Sequence, residues 1–134
     1  MYIPKPLEDK VTIPQLKKLK QQGEKFACLT AYDYSFATVM EDCGIEVVLV
    51  GDSLGMVIQG HDTTIPVTLE DIVYHGKAVA AGLTNAMLML DMPFGTLNSP
   101  QQALDNASEL LKQTQAQVVK LEGGEAQLKT VETM

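Results

Sequence analysis

The sequence predicts an α/β fold in which four parallel strands alternate with helices, after one leading helix. Four short apolar runs, one of them almost entirely β-branched, are typical of strands covered on both faces. Segments with helix-capping signals separate these runs, and strands that alternate with helices of about 10–15 residues form βαβ units with right-handed crossovers. The 134 residues suffice for one domain with a buried core, so we expect residues 1–134 to be a single domain.

The N-terminal part of the chain is predicted to be an arm followed by a helix. Residues 1–11 are polar and contain prolines, which favours an extended arm. Thr12 can cap the leading helix, Pro14 fits its first turn, and Gly23 can end it. The apolar side chains of this helix form one narrow stripe, which indicates a helix lying on the surface.

The first two strands flank a short helix. Residues 26–30 are predicted to be a short buried strand. Asp33 can cap the following helix, which should end at Gly44. The β-branched residues 46–50 form the second strand, and a long loop is expected from residue 51 to residue 67.

The rest of the chain repeats this pattern twice. Thr68 and Asp71 resemble a capping box at the start of a helix, and Ser99 followed by Pro100 starts another. In order, the predicted elements are a helix to about Gly82, a strand at 86–90, a helix to about Gln113, a strand at 117–121 and a last helix opened by Gly123.

The charge of the chain excludes one class of partner. Ten lysines and no arginine stand against seventeen acids, which gives a formal net charge of −7. Nucleic-acid binding needs a basic face, so we expect no nucleic-acid partner. Without a guanidinium group, an anionic substrate must be held by lysine, a metal ion or backbone N–H groups.

Apolar patterning indicates a cytoplasmic protein that does not enter a membrane. No segment approaches the roughly 18 unbroken apolar residues of a membrane span, and the N-terminus has no signal-peptide run. The two cysteines, Cys28 and Cys43, lie in apolar surroundings without metal-site spacing. We expect both thiols to be buried and reduced.

Acidic residues follow three of the four predicted strands. Asp52, Asp91 and Glu122 are separated from one another by about one βα unit. Because the carboxyl ends of parallel strands share one edge of the sheet, these side chains should converge there. Three carboxylates would repel one another, and a hard divalent cation such as Mg²⁺ would relieve that repulsion.

Two further residues point to the same edge. Lys120 precedes Glu122 by two positions, so both side chains face the same way, and Lys120 could pair with the acids or with a substrate carboxylate. Ser53 offers a hydroxyl and an N–H beside Asp52. Two alternatives stay open: each acid alone could be a helix cap or a solvated loop residue, and Lys120 with Glu122 could be a structural ion pair.

Three other polar residues are weaker candidates for chemistry. His61 lies in the long loop near the predicted site, where a structural hydrogen bond is at least as good an explanation as a chemical role. His75 lies in the middle of a predicted helix, and Asp33 is better explained as a helix cap.

Five strings in this order resemble the ketopantoate hydroxymethyltransferase family, and together they span most of the chain. The resemblance includes the residues Asp52, Ser53, Asp91, Lys120 and Glu122 discussed above. The strings are Leu29–Ser35, Val50–Met56, Gln59–Thr68, Asp91–Phe94 and Val119–Gly124.

The resemblance implies a (β/α)₈ TIM barrel of the phosphoenolpyruvate/pyruvate superfamily that assembles as a homo-oligomer, usually a decamer. It implies transfer of a hydroxymethyl group from the folate co-substrate 5,10-methylenetetrahydrofolate to 3-methyl-2-oxobutanoate. The product is 2-dehydropantoate, on the route to pantothenate and coenzyme A.

The resemblance also implies roles for five residues. By position in its strings, Asp52, Asp91 and Glu122 look like the magnesium ligands of the family. Its keto-acid contacts fall on Asp52, Ser53, Asp91 and Lys120.

The length of the chain departs from this pattern. A complete barrel needs about 250 residues, so four βα units amount to half a barrel. The glutamate that is the general base of the family should lie beyond Met134, so we expect no catalytic base among these residues and no turnover by this portion alone. Two other functions stay open: a Mg²⁺-dependent lyase or mutase of the same superfamily, and a non-catalytic binding or assembly module.

Overall fold

The computed structural model describes residues 5–134, so the first four residues of the predicted arm lie outside it. It confirms the predicted α/β class, with four parallel strands in the order β1-β2-β3-β4 and a sheet that does not close on itself. This is consistent with part of a TIM barrel. The strands are β1, Cys28–Thr30; β2, Val47–Val50; β3, Met87–Asp91; and β4, Val118–Lys120.

Four of the helices begin where the capping signals predict, whereas the last helix starts only after a 3₁₀ turn at Glu125–Gln127 and not directly at Gly123. Thr12 and Thr68 form complete capping boxes. The side chains of Asp33 and Ser99 each accept a hydrogen bond from a backbone N–H in the first turn of the helix that follows. The helices are α1, Ile13–Gln22; α2, Tyr34–Asp42; α3, Leu54–Val57; α4, Leu69–Ala81; α5, Pro100–Thr114; and α6, Leu128–Thr133, which follows a 3₁₀ turn at Glu125–Gln127.

Helix α3 is absent from the prediction, which places a loop at these residues. Its single turn carries no side-chain cap, since Ser53 makes no capping hydrogen bond. The buried Leu54 anchors the turn in the core. Tertiary packing therefore creates this turn, and the local sequence carries no signal for it.

The helices cover one face of the sheet and leave the other half-exposed. Leu90 pairs in register with Val119, and both point toward the helices, where Leu90 is fully buried. Asp91 and Lys120 pair at the next position and point to the opposite face. The main buried positions of the core are Val48, Val50, Leu88 and Leu90 from the sheet and Ile72, Val79, Ala103 and Leu110 from the helices.

Strand β1 departs from the prediction of a buried strand. All three of its residues are exposed, because β1 is an edge strand that pairs only with β2 within the described residues. The expectation of buried thiols is wrong for the same reason at Cys28, and Cys43 is also exposed at the end of α2. Both thiols are free.

The described part of the arm runs along the core without helix or strand. The backbone carbonyl of Leu7 accepts a hydrogen bond from the Asn85 side chain at 2.9 Å, and the Val11 N–H donates to the Asn85 carbonyl at 2.8 Å. Between residues 5 and 134, every helix is too short or too polar to cross a bilayer.

The capping box of α4 makes the stability of the fold depend on acid pH. The Thr68 backbone N–H, the largest cause, lowers the pKa of Asp71 below its ordinary value of 3.8. This contribution is present above that value and is lost as the pH falls through the lower pKa of the folded state. We expect Asp71→Ala to lower the free energy of unfolding by about 1 kcal/mol at neutral pH. It should also flatten the acid limb of a plot of melting temperature against pH.

The exposed Asp42 at the end of α2 provides the matched control for Asp71. Asp42→Ala should leave the acid limb unchanged. Equal flattening by the two substitutions would contradict the capping account.

Candidate active site at the carboxyl ends of the strands

A cavity of about 360 Å³ opens at the carboxyl ends of β2, β3 and β4. Four of the five predicted site residues, Asp52, Asp91, Lys120 and Glu122, line it together with residues of the loops that follow β2 and β3. Each follows or ends its strand, and the parallel register brings these ends to one edge of the sheet. The predicted convergence on one cavity is therefore seen for these four residues.

Asp91 is the buried centre of the site. It is only 6% exposed and both of its carboxylate oxygens are engaged. Oδ2 accepts a hydrogen bond from the Asp52 backbone N–H at 3.0 Å, and Oδ1 lies 2.5 Å from Lys120 Nζ. A buried carboxylate is costly unless it is paired, and Lys120 is the counter-charge that pairs with Asp91.

Lys120 also pairs with Glu122, as their spacing predicts. Lys120 Nζ donates to Glu122 Oε1 at 2.9 Å. Partial burial lowers the pKa of Lys120, but the hydrogen bonds to Asp91 and Glu122 outweigh it, so that the net pKa is raised. The same contact lowers the pKa of Glu122. The ammonium group therefore stays protonated between two carboxylates.

The three predicted metal ligands do not meet at a single point. Among residues 5–134, no three His, Cys, Asp or Glu side chains are arranged to hold one metal ion. The physical reason is that Lys120 Nζ attracts both Asp91 and Glu122, and the Glu122 side chain is 86% exposed. The binding of Mg²⁺ by Asp52, Asp91 and Glu122 stays a prediction.

The chemistry of the cavity still fits a hard cation at Asp52 and Asp91. Mg²⁺ is held in proteins by one or two carboxylates and completes its shell with water and substrate oxygens. Three carboxylates and one ammonium group line the cavity, so its formal charge is negative. Such a cavity favours a cation over a free anion.

Ser53 lies beside the cavity, and its side chain contacts Tyr32, a residue that the sequence analysis does not single out. The Ser53 hydroxyl and the Tyr32 hydroxyl are 2.6 Å apart. Tyr32 follows β1 by two residues, and this position just after a strand is the feature of the sequence that could have identified it as a site residue. The Tyr32 carbonyl is 2.7 Å from Nδ1 of His75, and the two rings meet edge to face.

Gly51 allows Ser53 and Asp91 to approach the same spot. A Cβ built on Gly51 would lie 3.1 Å from Ser53 Oγ and 3.2 Å from Asp91 Oδ2. These contacts are tighter than ordinary packing, so a side chain there would displace both groups. The absence of a side chain at residue 51 thus leaves room for the Ser53 hydroxyl and the Asp91 carboxylate.

The two histidines differ in their surroundings. His75 lies within α4, where its Nδ1 contacts the Tyr32 carbonyl and its ring contacts the Tyr74 ring. His61 is exposed, and its backbone N–H donates to the Gly55 carbonyl at 2.8 Å. Asp33 is the cap of α2, as predicted.

Comparison with known proteins bears on what such a site does. A family model of ketopantoate hydroxymethyltransferase matches residues 10–134. The 3-methyl-2-oxobutanoate hydroxymethyltransferase of Marinomonas sp. is 57% identical over 114 residues, which are 85% of this chain and 41% of the relative.

Two other relatives with the same name extend this comparison. The protein of Shewanella loihica is 55% identical over 122 residues, which are 91% of this chain and 46% of the relative. The protein of Magnetococcus marinus is 48% identical over 126 residues, which are 93% of this chain and 47% of the relative. The chain spans about half the length of the curated relatives it matches. Since the matched residues contain every strand and helix described above, the chain belongs to the ketopantoate hydroxymethyltransferase family.

Proposed function

We propose that this chain supplies the metal- and keto-acid-binding part of a 3-methyl-2-oxobutanoate hydroxymethyltransferase that serves pantothenate biosynthesis. The observation that carries the proposal is the buried Asp91, joined to Lys120 and to the Asp52 backbone within one cavity. Membership of the family supports the reaction class. We further propose a cytoplasmic location and a homo-oligomeric assembly.

The carboxylates of Asp52 and Asp91 would hold Mg²⁺, and Glu122 would join them only after leaving Lys120. When bound, Mg²⁺ supplies a Lewis acid that draws electron density from the keto group of the substrate. The exposed position of Glu122 supports such a movement, since solvent can replace its contact with Lys120.

Lys120 would hold the carboxylate of the keto acid. Its Nζ lies between Asp91 and Glu122, and the Lys120 side chain is one-third exposed and lines the cavity, so a substrate carboxylate can approach it there. Asp91 fixes the ammonium group, and the Ser53 hydroxyl, oriented by Tyr32, would donate to a substrate oxygen. We assign binding and charge stabilisation to these residues, and not removal of the C3 proton.

The co-substrate would be 5,10-methylenetetrahydrofolate, whose one-carbon unit would replace the C3 proton of the keto acid as its bonds to the folate nitrogens break and water supplies the hydroxyl oxygen. The open side of the cavity, where Phe94 and Ile65 are exposed, is the place where a planar ring system could pack.

The experiment is a calorimetric titration of the chain with 3-methyl-2-oxobutanoate, with and without Mg²⁺. We expect binding that requires the metal. The matched control ligand is 3-methylbutanoate, which lacks the keto oxygen and should not respond to Mg²⁺. Absence of binding, or equal binding with and without Mg²⁺, would contradict the proposal.

A further inference from the structure

Three residues that are far apart in the sequence form one hydrogen-bonded series that ends beside the cavity. His75 Nδ1, in the middle of α4, lies 2.7 Å from the backbone carbonyl oxygen of Tyr32. The Tyr32 hydroxyl lies 2.6 Å from the Ser53 hydroxyl. Ser53 directly follows Asp52, which lines the cavity. The series therefore joins a helix residue outside the cavity wall to a hydroxyl group beside it.

The first contact of the series determines which nitrogen of His75 carries a proton. A backbone carbonyl oxygen can only accept a hydrogen bond, so Nδ1 is the donor to Tyr32. Nε2 of the neutral ring is then an acceptor. The His75 ring also meets the rings of Tyr32 and Tyr74 edge to face, at centroid distances of 6.5 and 5.2 Å. These three contacts hold the imidazole in one orientation.

The same contact fixes the position of Tyr32. This residue lies in the short connection between β1 and α2. Connections are more mobile than the strands and helices that they join. The hydrogen bond from His75 ties this connection to α4, 43 residues away in sequence, and so limits movement of the Tyr32 side chain relative to Ser53.

The second contact determines what the Ser53 hydroxyl can bind. At 2.6 Å either hydroxyl can be the donor, and each carries a single proton. A carboxylate or keto oxygen of a substrate only accepts, so Ser53 donates to it only if Tyr32 donates to Ser53 and not the reverse. The direction of this one hydrogen bond therefore sets whether Ser53 meets the substrate as a donor.

We propose that His75 is a positioning residue of the substrate site. By holding the Tyr32 carbonyl, it directs the Tyr32 hydroxyl to donate to Ser53, and the proton of Ser53 is left for the keto acid. His75 acts through Tyr32 and does not itself contact the substrate. The proposal rests on the proposed function, because it takes Ser53 to be a substrate contact.

The first test follows the Tyr32 hydroxyl by nuclear magnetic resonance and needs no substrate. In a chain isotopically labelled at the tyrosine Cζ atoms, the Tyr32 signal is the one lost in Tyr32→Phe. We expect Ser53→Ala and His75→Gln to shift this signal. His75→Asn should leave it nearly unchanged, because the Asn amide nitrogen can take the place of Nδ1, whereas the Gln amide nitrogen reaches toward the place of Nε2.

The second test is the calorimetric titration with 3-methyl-2-oxobutanoate in the presence of Mg²⁺. Tyr32→Phe and His75→Gln should each weaken binding of the keto acid about fivefold, as expected for one hydrogen bond, and His75→Asn should change it by less than about twofold. The two losses should not add in the double variant, because both act through Ser53. In a Ser53→Ala chain, neither substitution should weaken binding further.

Two control variants are matched to these by residue type. Tyr34→Phe alters an exposed tyrosine of α2, and His61→Gln alters an exposed histidine of a loop. Both should bind the keto acid as the unaltered chain does and leave the Tyr32 signal in place. Circular dichroism and a thermal melt confirm that each variant is folded.

The outcomes separate this proposal from the proposed function. A Tyr32 signal that does not move in His75→Gln, or that moves equally in His75→Asn, would overturn the positioning role whether or not the chain binds substrate. Equal loss of keto-acid affinity in folded His75→Asn and His75→Gln chains, or additive losses with Tyr32→Phe, would reduce His75 to a structural residue. An unaltered chain that binds no keto acid with Mg²⁺ would overturn the proposed function and, with it, the assignment of the hydroxyl pair to a substrate.

Discussion

Replacing Asp91 with alanine is expected to abolish Mg²⁺-dependent binding of the keto acid by this chain. The substitution removes a proposed metal ligand, deprives Lys120 of its buried counter-charge, and leaves the Asp52 N–H without its acceptor. Since loss of a residue that only supports a metal ligand costs about 10–100-fold in metal affinity, loss of the ligand itself should cost roughly 100-fold or more.

The measurement is the calorimetric titration with 3-methyl-2-oxobutanoate in the presence of Mg²⁺, with a thermal melt of each variant. Asp42→Ala removes an exposed carboxylate that does not line the cavity, and this variant should bind the keto acid as the unaltered chain does. A folded Asp91→Ala protein with unchanged affinity for the keto acid in the presence of Mg²⁺ would show that Asp91 is not part of the binding site.

The elements that the sequence predicts correctly are those specified by local chemistry. The start of α1 depends on Thr12 and Gln15, and the start of α4 on Thr68 and Asp71, so a few neighbouring residues determine each of them. Successive side chains of a strand alternate between the two faces of the sheet, so the buried Leu90 and the cavity-lining Asp91 lie on opposite faces.

The errors concern properties that depend on neighbours distant in sequence. The apolar composition of β1 suggests burial, but the strand lies at an open edge, and no local pattern reports the number of its neighbours. Helix α3 forms because Leu54 packs in the core, and the four residues of this turn do not by themselves indicate that burial. Cys28 is exposed because it is part of this edge strand.

The candidate site shows the same division. Strand ends bring Asp52, Asp91, Lys120 and Glu122 to one cavity, which follows from the parallel topology alone. The partners within the cavity depend on individual charges and rotamers, so the sequence predicts that Lys120 can pair with the acids but not that it contacts Asp91 and Glu122 at the same time.

A large loss of stability from a single substitution is expected at Leu110, on the inner side of α5. Leu110 is 0% exposed and packs in the core with Ala103 and Ala107 of the same helix. Leu110→Ala leaves a cavity that the surrounding side chains fill only in part, so the free energy of unfolding should fall by about 3 kcal/mol. Urea denaturation followed by circular dichroism measures this change.

The next residue along the chain provides a control that differs in burial alone. Leu111 lies on the outer side of the same helix and is 36% exposed. Leu111→Ala removes the same atoms at almost the same helical position, but water already covers part of them, so the loss should be about 1 kcal/mol or less. Because α5 packs against α4, β4 and α6, equal losses at the two positions would mean that Leu110 does not face the core.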